Sequence, residues 1–268
     1  MKITACCTIN NRTHEVLAEV FDSMIDQEHD EFVIVLDRTS DEITQFCHDY
    51  WKPTPDRNKV KFVEIEGPPG WLSPVNAWNT GFNSIQADTG DQALYCFSSE
   101  TVQAPGNIAR AKELLLHNEA AIHGKAECSC GPEGTEVNWG GTAPGNLLSD
   151  SEHPRPLGFI WAAPIENIQA MDGYDREFSK GFWYDDADFF LRLWKTGLNF
   201  LFDDQIHGTH LHHDRPDLET PKGQAGIQLN HDYMMRKHGL TNPWGNLLRI
   251  EDKKPGQTIW KHSTWRDV

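Results

Sequence analysis

"KITACCTINNRTHEVLAEVFDSMIDQEHDEFVIVLDRTSDE", residues 2–42, changes its hydrophobic period twice, and the order of those changes decides the fold. Residues 2–9 predict a strand. In "HEVLAEVFDSMIDQ", Val16, Val20 and Met24 fall four apart with Leu17 and Phe21 beside them, the spacing of one helix face. "EFVIVLD" then returns to a short apolar run rich in β-branched residues, which predicts a buried strand ending at Asp37. Ser40 or Thr39 is placed to cap a further helix beginning near Asp41.

The alternation continues outward. "KVKFVEIE" predicts a third strand and "GPPG" a turn. A helix follows in "SPVNAWNTGFNSIQAD", with Ser73 near its cap and Pro74 in its first turn. "ALYCFS" predicts a fourth strand, and "PGNIARAKELLLHN" the helix beyond it. Strand and helix in strict turn imply an α/β domain around a mainly parallel sheet. From Gly124 to Pro156 the pattern loosens into Gly, Pro, Ser, Asn and acids, which predicts a long loop of the kind that carries binding residues. "GFIWAAP" and "NFLFDD" predict later strands; helices are expected around "IENIQAM", from Asp185 to Thr196, and in "IQLNHDYMMRKHG".

Composition excludes several function classes. Forty acids against 24 Lys and Arg give a formal charge of -16, which repels a phosphate backbone and disfavours general nucleic-acid binding. The beginning of the chain lacks a signal-peptide pattern, and no apolar run approaches the length of a membrane span. Six cysteines in 268 residues do not form a disulfide scaffold, so a soluble cytoplasmic protein is expected.

Ligands of open α/β sheets collect beyond the carboxyl ends of the strands. Three polar clusters fall there: Thr8, Asn10 and Arg12; Asp37 and Arg38; Ser98, Ser99 and Glu100. No phosphate-binding glycine loop follows the first strand, so a bound diphosphate would need other neutralisation. Glu100 and the histidines of "HGTHLHHD" are the residue types that bind manganese or magnesium beside phosphate oxygens. On an extended chain His210 and His212 share a face and His213 points away, a choice that a turn after Leu211 would change. "CSCG" at 128–131, with His117 and His123, is a weaker zinc alternative of irregular spacing. In "WYDDADFFLRLWKTG", Asp185 and Asp186 stand at a helix start, where free amides favour carboxylates, and either is a candidate general base. Asp188 lies four residues before Arg192 and predicts an internal ion pair.

Taken in order, these segments resemble the GT-A fold nucleotide-sugar glycosyltransferases, in particular glycosyltransferase family 2. The likeness runs from Lys2 to Asp214. It is densest in "GFIWAAPIENIQAMDGYDREFSKGFWYDDADFFLRLWKTG", similar to the family's Gly-Gly-Tyr-Asp and Glu-Asp-x-Asp segments. The resemblance implies a Rossmann-like, mainly parallel sheet flanked by helices. Residues 1–123 would form a nucleotide-sugar half and 157–214 an acceptor half, with the insertion 124–156 between them and a helical or irregular extension, 215–268, packed on the same domain.

Residue by residue, it places Thr8, Asn10, Arg12, Asp37, Asn79, Ser98, Ser99 and Glu100 at the donor. It gives Glu100 and His210, with His212 or His213 as substitutes, to Mn2+ or Mg2+. Asp186 becomes the base, Asp185 shapes the acceptor pocket, and Trp161 and Trp183 are sugar platforms. The chain departs from the family twice: Ser98 stands where the Asp-x-Asp motif has its first acid, and Trp78 where Ala-Arg-Asn-x-Gly has arginine. The implied activity is metal-dependent, inverting transfer from a nucleoside-diphosphate sugar, UDP-linked by expectation, to an acceptor hydroxyl. The two departures motivate an inactive nucleotide- or sugar-binding protein as the alternative, with a nucleotidyltransferase behind it.

Overall fold

The computed structural model describes residues 1–10, 12–66, 72–85, 91–129, 147–211, 220–240 and 249–262. The opening stretch folds as its periods predict: β1 (Lys2–Ile9), α1 (His14–Ile25), β2 (Glu31–Asp37) and α2 (Asp41–Trp51). Thr13 caps α1 by accepting from Val16 N, and Ser40 caps α2 by accepting from Ile43 N. Leu17, Val20, Phe21 and Met24 are the buried face of α1, each contributing about 1.5–3 kcal/mol of apolar burial. The chain continues through β3 (Val60–Ile65), α3 (Val75–Ser84), β4 (Gln92–Phe97), β5 (Thr101–Gln103) and α4 (Asn107–His117). Then come β6 (Ala120–Ser129), β7 (Leu147–Ser149), β8 (Ile160–Pro164), α5 (Ile165–Ala170) and α6 (Asp185–Lys195). β9 (Asn199–Leu211), α7 (Pro221–His238), β10 (Arg249–Lys254) and β11 (Gln257–His262) complete it.

The strands make one sheet in the order β10-β11-β9-β6-β8-β4-β1-β2-β3. The block β4-β1-β2-β3 is parallel throughout. β8 runs antiparallel between β4 and β6, so its first residues lie at the carboxyl end of β4, with Phe97 opposite Ile160. Helices cover both faces, and alternation along each strand feeds two cores. Phe32, Ile34 and Leu36 of β2 pack under α1, α2 and α4, whereas Val33 and Val35 join α3, α5, α6 and α7 on the other side. Among the described residues no helix is long and apolar enough to cross a membrane.

Two expectations are corrected. The loop expected from Gly124 begins as strand: β6 runs on to Ser129 and β7 pairs back on it, while 130–146 lie outside the described residues. Strand persists because Ala126 and Cys128 alternate inward and bury against Leu148 and Phe159. Beyond residue 214 the chain supplies not only α7 but the hairpin β10–β11, which pairs with β9 and so belongs to the sheet.

Candidate active site

The carboxyl ends of β1, β2 and β4, the start of β8 and the last residues of β9 meet along one edge. Glu100 sits just beyond β4 and is 7% exposed. Arg12 grips it with both nitrogen arms, Nε at 3.3 Å from Oε2 and Nη2 at 3.4 Å from Oε1. The Ser99 hydroxyl donates to Oε2 at 2.8 Å.

His210 arrives from far along the chain. β5 pairs antiparallel with β9, setting Thr101 opposite His210, and Leu211 N donates to the Glu100 carbonyl at 2.7 Å. In the β6–β9 ladder the partner of Gly124 is Asp203 and that of Lys125 is His207, so β9 bulges by three residues there. Gly124 is required at the bulge, since a Cβ would lie 2.9 Å from the Ile206 carbonyl. His210 Nε2 thus lies 3.5 Å from Glu100 Oε1. Its Nδ1 is 3.9 Å from Cys128 Sγ, and its ring packs edge-on to Phe159 at 4.9 Å.

Glu100 and His210 are an oxygen and a nitrogen donor, buried and converging, a pair suited to a divalent cation that takes its remaining ligands from phosphate and water. Among the described residues no three His, Cys, Asp or Glu side chains gather closely enough to cage a metal unaided. His212 and His213 lie outside the described residues, as does Cys130. His123 does not extend the zinc alternative, for its buried ring is surrounded by Phe190, Phe200 and Phe202.

The other polar clusters are more committed than their sequence suggests. Asp37 is buried and held by its neighbour Arg38, Nε to Oδ1 at 2.8 Å and Nη2 to Oδ2 at 3.1 Å. The Asn10 amide donates to the Asp37 carbonyl at 2.9 Å, and Thr8 is buried at the end of β1. The Ser98 hydroxyl shares a hydrogen bond with Thr101 Oγ1, and its backbone N–H donates to Phe159 O at 3.2 Å.

That last bond links two halves of the edge. Gly158, the residue before Phe159, donates its N–H to Asp186 Oδ2 at 3.0 Å. A Cβ on Gly158 would stand 2.8 Å from both Asp186 oxygens, so the carboxylate needs glycine there. Tyr174 OH donates to Asp186 Oδ1 at 3.2 Å, and Ser73 Oγ donates to Asp185 Oδ2 at 3.0 Å. Burial and the adjacent Asp185 charge push the Asp186 carboxyl up to about 7, against the opposing bonds from Gly158 and Tyr174. Burial raises Asp185 as well.

The turn that delivers these acids is strained. Trp183 and Tyr184 have φ of 62° and 61°, in the left-handed region that side chains with a Cβ seldom adopt. Helix α7 holds it there: Asn230, 1% exposed, donates Nδ2 to the carbonyls of Phe178 and Trp183, each at 3.0 Å. Gly181 has no room for a side chain beneath the Gly226 carbonyl.

Two expected site residues are placed elsewhere. Trp161 is 1% exposed and packed among Phe82, Phe189 and Phe190, so it is a core residue with no face for a sugar; Trp183, 46% exposed, keeps one. Asn79 spends its amide on the backbone of Tyr174, donating to its carbonyl at 2.8 Å and accepting from its N–H at 2.7 Å, which leaves it a structural clasp rather than a nucleotide contact. Trp78 is buried beside it, its ring stacked 6.4 Å from that of Tyr174. Gly158, Tyr174 and Asn230 were missed as site residues. The Gly-Tyr-Asp segment was the available signal for Tyr174; nothing local marked the other two.

No family model and no curated protein sequence matches this chain. Solved structures do. GalNAc-T7, determined with UDP, GalNAc and Mn2+, superposes with a TM-score of 0.60 at 14% identity, covering 92% of this chain and 52% of its own. This chain therefore spans about half the length of that neighbour. Glucosyl-3-phosphoglycerate synthase from Mycobacterium tuberculosis, determined with Mn2+, UDP-glucose and phosphoglyceric acid, gives 0.53 at 14% identity over 98% of this chain and 88% of its own. A further mycobacterial protein gives 0.51 at 15% identity, over 98% and 84%. Likeness at these identities establishes the fold: the chain has the GT-A architecture, an α/β sheet with a parallel block flanked by helices.

Proposed function

We propose that this protein is a divalent-cation-dependent glycosyltransferase that moves a sugar from a nucleoside-diphosphate sugar to an acceptor hydroxyl with inversion. One observation carries the reading. Glu100 and His210 lie 3.5 Å apart, the His210 ring packs on Phe159, and the preceding Gly158 N–H donates to Asp186, so two consecutive residues join the pair to the acid and bring both to one candidate site. The fold neighbours determined with UDP and Mn2+ support the choice of a uridine donor and of cation.

Glu100 and His210 are the residues that would hold Mn2+ or Mg2+, which when bound offsets charge on a leaving diphosphate. Arg12, already against Glu100, would add a guanidinium to the neutralisation of the same phosphates. Asp186 accepts the acceptor hydroxyl proton. That oxygen forms its bond to the anomeric carbon from the face opposite the diphosphate, which departs with the electrons of the broken C–O bond. A base whose pKa lies near 7 is half-ionised near neutrality, the poise that general-base catalysis favours. Trp183 offers an exposed ring beside the acids as an acceptor platform.

The test is turnover of a panel of UDP-sugars with Mn2+, Mg2+ or chelator, the product's anomeric configuration read by NMR. Cation-dependent transfer with inverted configuration is expected. UDP and Mn2+ binding without turnover would return the chain to a non-catalytic nucleotide-sugar binder.

A further inference from the structure

The segment before α6 contains a device that the chemistry above does not require. Tyr174 is 2% exposed, and its ring is stacked on Phe189 at 4.1 Å, on Phe82 at 6.1 Å and on Trp78 at 6.4 Å. Its backbone is clasped on both sides by Asn79, and Gly173, with φ of 64°, has no room for a Cβ beside the Asn79 oxygen. Ring, backbone and preceding turn are all fixed, and among the described residues the hydroxyl of this side chain makes one hydrogen bond, to Asp186 Oδ1. Two helices, α3 and α6, thus fix the side chain that carries this one hydroxyl.

We infer that Tyr174, clasped by Asn79, is a positioning residue that orients the Asp186 carboxylate and sets the pH at which it ionises. Gly158 N–H holds Oδ2 and Tyr174 OH holds Oδ1, so the carboxylate is fixed at two points, one on each oxygen. The charged neighbour facing Asp186 is Asp185 on the same helix, which opposes ionisation; Tyr174 and Gly158 are neutral donors that favour it. Removing the hydroxyl therefore makes the carboxylate harder to ionise, and its midpoint moves to higher pH.

The inference rests on Asp186 as the proposed base, but its readout does not. Carboxyl-carbon NMR of 13C-aspartate-labelled protein, with the Asp186 signal assigned by its loss in Asp186→Asn, gives the midpoint directly. Tyr174→Phe keeps the ring stack and is expected to raise that midpoint by about one pH unit. Asn79→Ala is expected to raise it in the same direction, and the double variant no further than Tyr174→Phe alone, since both act through one hydroxyl. An unmoved or lowered midpoint in Tyr174→Phe overturns the inference, as does additive behaviour of the pair. Should Asp186→Asn retain transfer activity, the base assignment falls while the titration still decides the role of Tyr174.

Discussion

The two ends of the site treat carboxylates in opposite ways. At the proposed donor end Glu100 faces Arg12 and Asp37 faces Arg38, so each acid has a guanidinium against it. At the mouth of α6, Asp185 and Asp186 are consecutive acids that raise each other's cost of ionisation and are held by the neutral donors Ser73, Tyr174 and Gly158. The contrast sharpens within a single helix turn. Burial pushes Asp188 upward too, but His238, Arg192 and Lys237 outweigh it and hold that acid at about 2, whereas Asp186 rises to about 7. Two aspartates two positions apart are thus set as a permanent anion and as a group able to exchange its proton near neutrality. Environment, not residue type, assigns the roles.

The largest effect should come from removing the exchangeable proton. Asp186→Asn is expected to lower transfer by about a thousandfold, with UDP and Mn2+ binding by calorimetry unchanged; near-normal turnover would reject Asp186 as base. In the unaltered protein log kcat should rise with pH and level off above about 7, since only the ionised carboxylate accepts a proton.

Breaking the permanent anion acts on stability instead. Asp188→Ala leaves Arg192, Lys237 and His238 without their shared counter-charge and is expected to cost about 3 kcal/mol in urea unfolding. Because Asp188 is depressed below its unfolded value, its contribution is present above about 4 and lost as pH falls through about 2. An unchanged unfolding midpoint for this variant would show that α7 does not depend on the cluster.

At the donor end, Glu100→Gln keeps size and the Ser99 contact but removes charge. Mn2+ affinity, read by electron paramagnetic resonance with UDP present, should fall by more than the about 10- to 100-fold that loss of an outer-shell partner costs. Equal affinity in Glu100→Gln and the parent would place the cation elsewhere.

Much of the fold was legible because it is local. The period changes across 2–42, the cap at Ser40 and the start of α6 at Asp185 are all written in neighbouring residues. In the proposed site, local sequence marks Glu100 as an acid just beyond a strand and Asp186 as an acid in the first turn of a helix. His210 reaches Glu100 through a three-residue bulge and a ladder joining residues 109 positions apart, which no local spacing encodes. Asn79 and Trp161 misled for a shared reason. Polarity and aromaticity reveal what a side chain can do, but its partners, here the Tyr174 backbone and the rings of Phe189 and Phe190, come from distant segments.

Stability alone tests the comparison between Asp186 and Asp188 most directly, because it reads the same two groups without any activity assay. A carboxyl raised on folding favours the native state while protonated, fully below its unfolded value near 4, and that advantage is lost as pH rises through about 7. Asparagine at 186 never ionises, and its amide can still accept from Gly158 N–H through oxygen while Tyr174 OH turns to accept from nitrogen. Asp186→Asn should therefore melt higher than the parent at pH 8 and level with it near pH 4, opposite in sign to Asp188→Ala, which melts lower at pH 8. Thermal melts across that range decide it. A lower melting temperature for Asp186→Asn at pH 8 would mean that the Asp185–Asp186 pair is not held under like-charge and burial stress, and the contrast between the two acids would lose its physical basis.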